Sequence, residues 1–383
     1  MIQLRNRGIA AIGIRSLFVV GFSCSYLLAS EPPRIPITCG DGVARLAISG
    51  SRAYVGSGDR LLQIDISDPS ALKVVGQAEI DCGTSALAVD DGLVFVVSMK
   101  SKLQIYRADE DTPPHEISSI PTRGSGHQVS VFAPYVILCV YKGMQVVDLN
   151  DPTAPVEAAM YETSPVCLDI ALEGSKAILL EGWIEGEALQ SVDISAPWSP
   201  ELLGKLDLRD IEEIDLERSS HFKPNIKVVD GYAYVADPQR GLLVFDVSEP
   251  SMPALLARHE IADISIRAAI EVAGRYVFVG SGDSSIVMVD VSTPSQPFEI
   301  GRIETPGNPA DLVIRGDLLF VADGDAGFRV IDISDLHSPV ELDAVAESKS
   351  WNAQQGMPSN NPPKPVGWRQ GDAHEGPANK PRN

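Results

Sequence analysis

The chain is poor in the residues that build metal centres and nucleic-acid surfaces. Its 383 residues include five cysteines and six histidines. No C-x-x-C pair or His/Cys cluster occurs, so no zinc site and no cofactor are expected. Basic residues number 31 against 52 acidic ones. Phosphate binding needs a basic footprint, and that balance excludes nucleic acid as a partner. Three loops are rich in glycine and acid: Gly56-Ser57-Gly58-Asp59, Gly280-Ser281-Gly282-Asp283 and 323–327. None has the ordered acid spacing of an EF-hand, and they read as hairpin turns. His127 and His221 stand without a nucleophile, a ligand-spaced partner or paired carboxylates, so there is no catalytic motif and the chain reads as a non-enzyme.

Long apolar runs are also scarce. One uncharged run, residues 17–29, follows Arg5, Arg7 and Arg15 and ends Leu28-Ala29-Ser30 before Glu31. Residues 1–30 therefore have the layout of a secretory signal peptide, and the run is short for a membrane span. Cleavage is expected near Ser30. An uncleaved leader is the alternative, and the expected route to any membrane contact. Cys24 suggests a lipoprotein, but Gly21-Phe22-Ser23 ahead of it lacks the usual aliphatic residue. The mature chain would carry 28 basic against 52 acidic groups, a formal charge near −24. Such acidity serves solubility, or attracts cations or basic partners. Four cysteines would remain in an oxidising compartment. Whether Cys39 and Cys82, at equivalent points of successive units, form a bridge stays open. Cys139 and Cys167 lie inside expected strands and read as small buried apolar residues.

What is abundant is repetition. The stretch Leu61-Leu62-Gln63-Ile64-Asp65-Ile66-Ser67-Asp68-Pro69 returns around Asp148, Asp193, Asp246, Asp290 and Asp332, with a degenerate copy at Tyr106. A period near 42 residues marks an array of one supersecondary unit. In each unit an apolar run stops at Asp, whose carboxylate accepts N–H groups two or three residues on and closes a turn. Prolines follow at four residues (Pro69, Pro152, Pro197, Pro250, Pro294) and at seven (Pro113, Pro155, Pro200, Pro253, Pro297, Pro339). The second opens an outer strand that does without one N–H. Upstream lie a β-branched and aromatic strand and a tight turn bearing Gly50, Gly92, Gly174, Gly231, Gly274 or Gly316, with Ala133-Pro134 in the third unit.

Aligned on that turn, two columns of the innermost strand are wholly aliphatic: Leu46 and its counterparts, and Ile48 and its counterparts. The column between is mostly small, with Lys227, Glu271 and Val313 as exceptions. Each unit is thus a four-stranded antiparallel meander. Seven such sheets close most naturally into an all-β, seven-bladed propeller, a linear solenoid being the alternative. The expected units are 44–84, 85–125, 126–164, 165–224, 225–264, 265–307 and 308–346, within a domain of residues 31–346. Hydrophobic residues at 44% supply an ample core for it. Two segments, 34–38 and 339–345, compete to be the outer strand that closes the ring. An acidic insertion at 209–223 is expected to form a short amphipathic helix or flap. Residues 347–383 read as a disordered polar tail.

These copies of apolar run, Asp, aliphatic residue, Ser, acid and Pro resemble the LVIVD repeat family of bacterial exported and surface proteins. The likeness runs from Ala44 to about Val345. It implies a seven-bladed propeller in an extracytoplasmic setting, periplasmic, surface-bound or secreted, and brings no defined catalytic residues. The departures are Tyr106 for Asp, Leu72 for the second proline of the first unit, and Leu336 for the first proline of the seventh.

The column at position 45 reads Arg45, Ala86, Gln128, Asp169, Asn225, Ala269 and Asp311. Its five polar members, with His127 beside them, would ring the channel mouth. Either they hydrogen-bond one another and water, as buried polar groups must, or they form a ligand site. Two functions follow. One is an exported scaffold, expected to be monomeric, that binds an unknown protein or glycan partner; the other is a periplasmic enzyme working at the channel mouth.

Overall fold

The structure, a computed structural model, describes residues 43–110, 112–164, 166–183, 186–211, 223–265, 268–346 and 367–370. Seven antiparallel sheets of four consecutive strands occupy 43–79, 84–121, 126–162, 167–207, 225–259, 270–304 and 311–345. We number these blades 1 to 7 and their strands one to four from the axis outward. Each first strand contacts the first strand of the next blade, and that of blade 7 contacts that of blade 1. The array is a closed seven-bladed propeller.

The hydrophobic core explains the column pattern. It consists of seven clusters, each drawn from two neighbouring blades, one cluster for every junction. Leu46 and Ile48 pack towards blade 7, whereas Ala47 between them packs towards blade 2. The same holds at blade 4, where Ile170 and Leu172 face blade 3 and Ala171 faces blade 5. Alternate side chains of a strand point to opposite faces. The aliphatic columns therefore meet the preceding blade and the small column meets the following one.

Both turn signals behave as their chemistry requires. Asp65, Asp148, Asp193, Asp246, Asp290 and Asp332 each accept the N–H two residues on, at 2.8–2.9 Å. Gly50, Gly92, Gly174, Gly231, Gly274 and Gly316 all have φ between +54° and +77°, where a side chain would be strained. The third blade turns through a cis Ala133-Pro134 peptide instead.

Blade 2 requires a correction. Leu93 pairs with Arg107, just as Arg52 pairs with Asp65, so Arg107 and not Tyr106 stands at the acid position. Its second proline is consequently Pro114. The Tyr106 side chain is buried between blades 1 and 2, and its hydroxyl donates to the Glu79 carbonyl at 2.7 Å.

Every fourth strand carries a one-residue bulge at the same level: Val75, Ile117, Ala158, Leu203, Leu256, Ile300 and Leu342. Bulges blunt the outer edges that would otherwise template aggregation. Past the bulge the next blade's proline turn packs close. At Gly204, a Cβ would overlap the Pro250 carbonyl and Ser251, and Ser118 donates to the Pro152 carbonyl. Blade 1 has Leu72 where the others have proline, and so retains an N–H. Asp343 of blade 7 accepts it at 2.7 Å.

The competition to close the ring resolves in favour of Val340–Val345, the fourth strand of blade 7; segment 34–38 lies outside the described residues. The closing junction is crossed by side chains. Arg315 donates to the Ile48 and Gly50 carbonyls, and Asp343 and Arg45 add further bonds.

The tail reads as unable to fold, and Gly367–Gln370 departs from that reading. It pairs antiparallel with residues 301–304 of blade 6 as a fifth strand. Main-chain pairing with the open outer edge of blade 6 holds it there. The rest of the tail lies outside the described residues. Of the acidic insertion, Leu208–Asp210 form a 3-10 turn capped by the Asp207 carboxylate, and Leu208 and Ile211 pack on the blade 4/5 core. Residues 212–222, and with them His221, lie outside the described residues.

Candidate functional site

The position-45 column forms one level around the axis. Arg45, Ala86, Gln128, Asp169, Asn225 and Asp311 pair with Gly56, Val97, Cys139, Leu180, Ala236 and Ala322, which are equivalent points of the second strands. Ala269 accepts Gly280 N–H at the same level. The structure places all seven residues of the column at equivalent points of the seven blades.

Its bonding differs from the expectation of side chain to side chain. Asp169 uses one carboxylate oxygen for its neighbour Ile170 N–H and the other for Ile226 N–H of blade 5, both at 2.8 Å. Asp311 does the same with Leu312 N–H and Leu46 N–H of blade 1, at 3.0 Å. Arg45 donates to the Ser85 carbonyl of blade 2 at 2.8 Å and to the carbonyl of Ala310, just ahead of the first strand of blade 7, at 3.1 Å. His127 donates from Nδ1 to the Cys167 carbonyl of blade 4 at 2.8 Å. Gln128 accepts Val129 N–H within its own strand. First strands have no partner on their axial side, so their main-chain groups there need side chains. These residues supply them and tie neighbouring blades together.

One charged pair belongs to this channel and was not among the position-45 candidates. Lys227 of blade 5 reaches Glu271 of blade 6 at 2.8 Å. Both are exceptions in the otherwise small column, and that departure was the available signal. With it, side chains of the first strands cross five junctions: 1/2, 3/4, 4/5, 5/6 and 7/1.

The electrostatics follow from crowding against the channel wall. Burial raises the Asp169 pKa to about 6, although the Ile226 and Ile170 N–H groups and the Arg45 and Lys227 charges pull it down. Burial lowers His127 to about 4, helped by Lys223 and opposed by the Cys167 carbonyl, so the imidazole is neutral at pH 7. Burial also acts to lower Lys227. Glu271, Asp311 and Asp169 outweigh it and the net shift is upward; with 39% of its side chain accessible, Lys227 still meets channel water.

Cysteine needs a second correction. Cys139, in the second strand of blade 3, and Cys167, in the first strand of blade 4, are not separate small apolar residues. They form a disulfide with a Cα–Cα distance of 5.7 Å. Cys82 is likewise disulfide-bonded, its partner lying outside the described residues. Among the described residues no cluster of three His, Cys, Asp or Glu is arranged to hold a metal.

The fold and the ring together define a seven-bladed propeller built from one repeated meander. Five segments, 41–79, 123–163, 224–260, 268–305 and 306–346, match the LVIVD repeat and cover just over half of the chain. The chain belongs to the LVIVD repeat family. Blades 2 and 4, which contain Arg107 at the acid position and the long insertion, are the two not matched. No curated protein is significantly similar in sequence.

Among solved structures, Sqt1 of Saccharomyces cerevisiae superposes with a TM-score of 0.57 at 10% identity, over 77% of this chain and 83% of that one. Sqt1 of Chaetomium thermophilum bound to the N-terminus of the ribosomal protein L10 gives 0.55 at 14%, over 77% and 85%. PorZ, a bacterial surface component of the type-IX secretion system of Porphyromonas gingivalis, gives 0.52 at 12%, over 82% and 39%. At such identities the likeness is one of fold.

Proposed function

We propose that this chain is an exported, non-enzymatic binding scaffold, acting on a protein or glycan partner at the cell surface or in the periplasm. The observation that carries this reading is a contrast between axis and rim. At the axis, polar side chains are committed to the main chain of adjacent blades. At the rim of blades 4 and 5, large apolar side chains are exposed, among them Trp198 and Met252. Sqt1, of the same fold, carries a bound protein segment. The periplasmic enzyme draws less support, because both Asp169 oxygens already accept N–H groups.

Arg45→Ala separates the two. If Arg45 serves as a joint, removing it leaves the Ser85 carbonyl at the junction of blades 1 and 2, and the Ala310 carbonyl at the closing junction, without this donor. Stability should then fall by about 1–3 kcal/mol. An unchanged or raised Tm would count against the scaffold and return the ring to candidacy as a ligand site.

Export draws on the leader and on the Cys139–Cys167 disulfide, since such bonds persist in oxidising compartments. N-terminal sequencing of protein from the extracytoplasmic fraction should begin near Glu31. Recovery of Met1 or Ile2 there would show a retained leader.

A further inference from the structure

An internal repeat carries its own control, because each blade shows what the fold requires at a position and a departure shows what it does not. The position five residues after the acid is solvent-exposed in all six regular copies. It is Ser70, Thr153, Ser251 and Ser295 in four of them, His337 in blade 7 and Trp198 in blade 4. The next position is Ala71, Ala154, Ser199, Gln296 and Ser338, but Met252 in blade 5. Opposite the third strand, blades 2, 3, 6 and 7 place Glu116, Glu157, Glu299 and Glu341. These bind Gln104, Gln145, Arg302 and Arg329. Blades 1, 4 and 5 place Val74, Leu202 and Leu255 there, and of these only Leu202 is exposed, Val74 and Leu255 being half-buried.

The three departures lie in one place. Trp198 is 64% accessible, Leu202 51% and Met252 72%. Trp198 and Leu202 flank the start of the fourth strand of blade 4. That strand meets the Met252 turn at Gly204, which lies against Pro250 and Ser251. Nothing in the repeat demands an exposed tryptophan, leucine and methionine on one strand start and the turn packed against that strand, and exposed large apolar side chains gathered in this way mark a candidate interaction site.

We infer that the rim joining blades 4 and 5 is a docking surface for a protein segment that presents a large apolar side chain flanked by lysine or arginine. This deepens the scaffold reading and rests on it. Leucine and methionine beside the tryptophan favour a protein over a sugar, and tryptophan anchors commonly carry such interfaces. The basic flank follows from charge. Glu201 and Glu249 border the patch and are exposed, in a chain of net charge −21. The cations nearby are engaged, Lys205 with Glu181 at 2.9 Å and Arg258 with the Arg240 carbonyl at 2.9 Å. A second copy of this chain would bring the same acids to the interface and be repelled.

The test uses the full-length chain and a triple variant, Trp198→Ser, Leu202→Glu, Met252→Ala, in which each residue reverts to the type found in sister blades. The introduced Glu would stand in the same register relation to Gln190 as Glu116 to Gln104 and Glu157 to Gln145, pairs that bond, so the variant should fold with an unchanged Tm. A random-peptide display library is selected on the wild-type chain, and the enriched peptides are measured by fluorescence anisotropy. The expected peptides pair a large apolar residue with Lys or Arg, bind the variant at least tenfold more weakly, and weaken further as salt is raised. Equal binding to wild type and variant would overturn the assignment of the surface while leaving a scaffold in place. Failure to enrich any peptide, with glycan-array binding that the variant loses, would replace the protein partner with a sugar. A wild-type dimer that the variant abolishes would replace it with a second copy.

Discussion

Arg329→Met is expected to be among the most damaging single substitutions in this protein, costing about 3–5 kcal/mol. Arg329 is buried in blade 7 between two buried carboxylates, donating to Asp323 at 2.8 Å and to Glu341 at 2.6 Å. Asp323 also accepts the Thr305 hydroxyl and the Gly307 N–H, and among the described residues Arg329 is the only cation paired with Asp323 and Glu341. Methionine fills much of the volume but strands two acids away from water. The sign of the pH dependence follows. Burial already raises the Asp323 pKa, while Arg329 is one of the groups holding it down. Without the guanidinium the folded-state pKa rises further, so the stability lost at neutral pH returns as pH falls and Asp323 takes up a proton. Urea unfolding at pH 7.5 and pH 5 checks this: the deficit should be larger at pH 7.5. A pH-independent deficit would mean that lost packing, not a stranded charge, is responsible. For contrast, Lys100→Ala removes the exposed pair with Asp81 and should cost less than about 1 kcal/mol.

The second large effect is expected at the disulfide. Cys139 and Cys167 are 28 residues apart and fully buried. Closing a loop of that length removes chain entropy from the unfolded state worth about 3–4 kcal/mol. The Cys139→Ser, Cys167→Ser double variant should therefore melt well below the wild type. Wild type unfolded in the presence of a reductant should melt at least as low, because the reductant also opens the Cys82 disulfide. Because the bond staples the second strand of blade 3 to the first strand of blade 4, its loss should loosen that junction first. Hydrogen exchange of the 137–140 and 167–170 amides should speed up before that of blades 6 and 7. An equal Tm for wild type and the double variant would show that the two sulfurs contribute only packing.

The sequence was most legible where the fold repeats. Asp65 and its counterparts close their turns as their short carboxylates dictate. The aliphatic columns at 46 and 48 mark a face buried in every blade, because seven copies average away the noise of any one. The same averaging failed in blade 2. There Tyr106 looked like a substituted acid, and only pairing with the second strand showed that Arg107 occupies the place and that Tyr106 fills the space between blades. Cys139 and Cys167 misled for a related reason. Each sits in a strand whose pattern says buried and apolar, and nothing in the spacing says that neighbouring blades bring the two within 5.7 Å.

The amino-acid sequence by itself determined the number of blades, the turn chemistry and the level at which the polar column would ring the axis, since all of these depend on local periodicity and on residue types at fixed offsets. Tertiary structure alone decided what those polar residues bond to. Whether Asp169 meets a side chain, water or a main-chain N–H depends on how adjacent blades are spaced about the axis, a distance that no local pattern encodes. It decided equally that Asp343 receives the one N–H that Leu72 exposes in place of proline, because those two residues are 271 positions apart and become neighbours only when the seventh blade closes on the first.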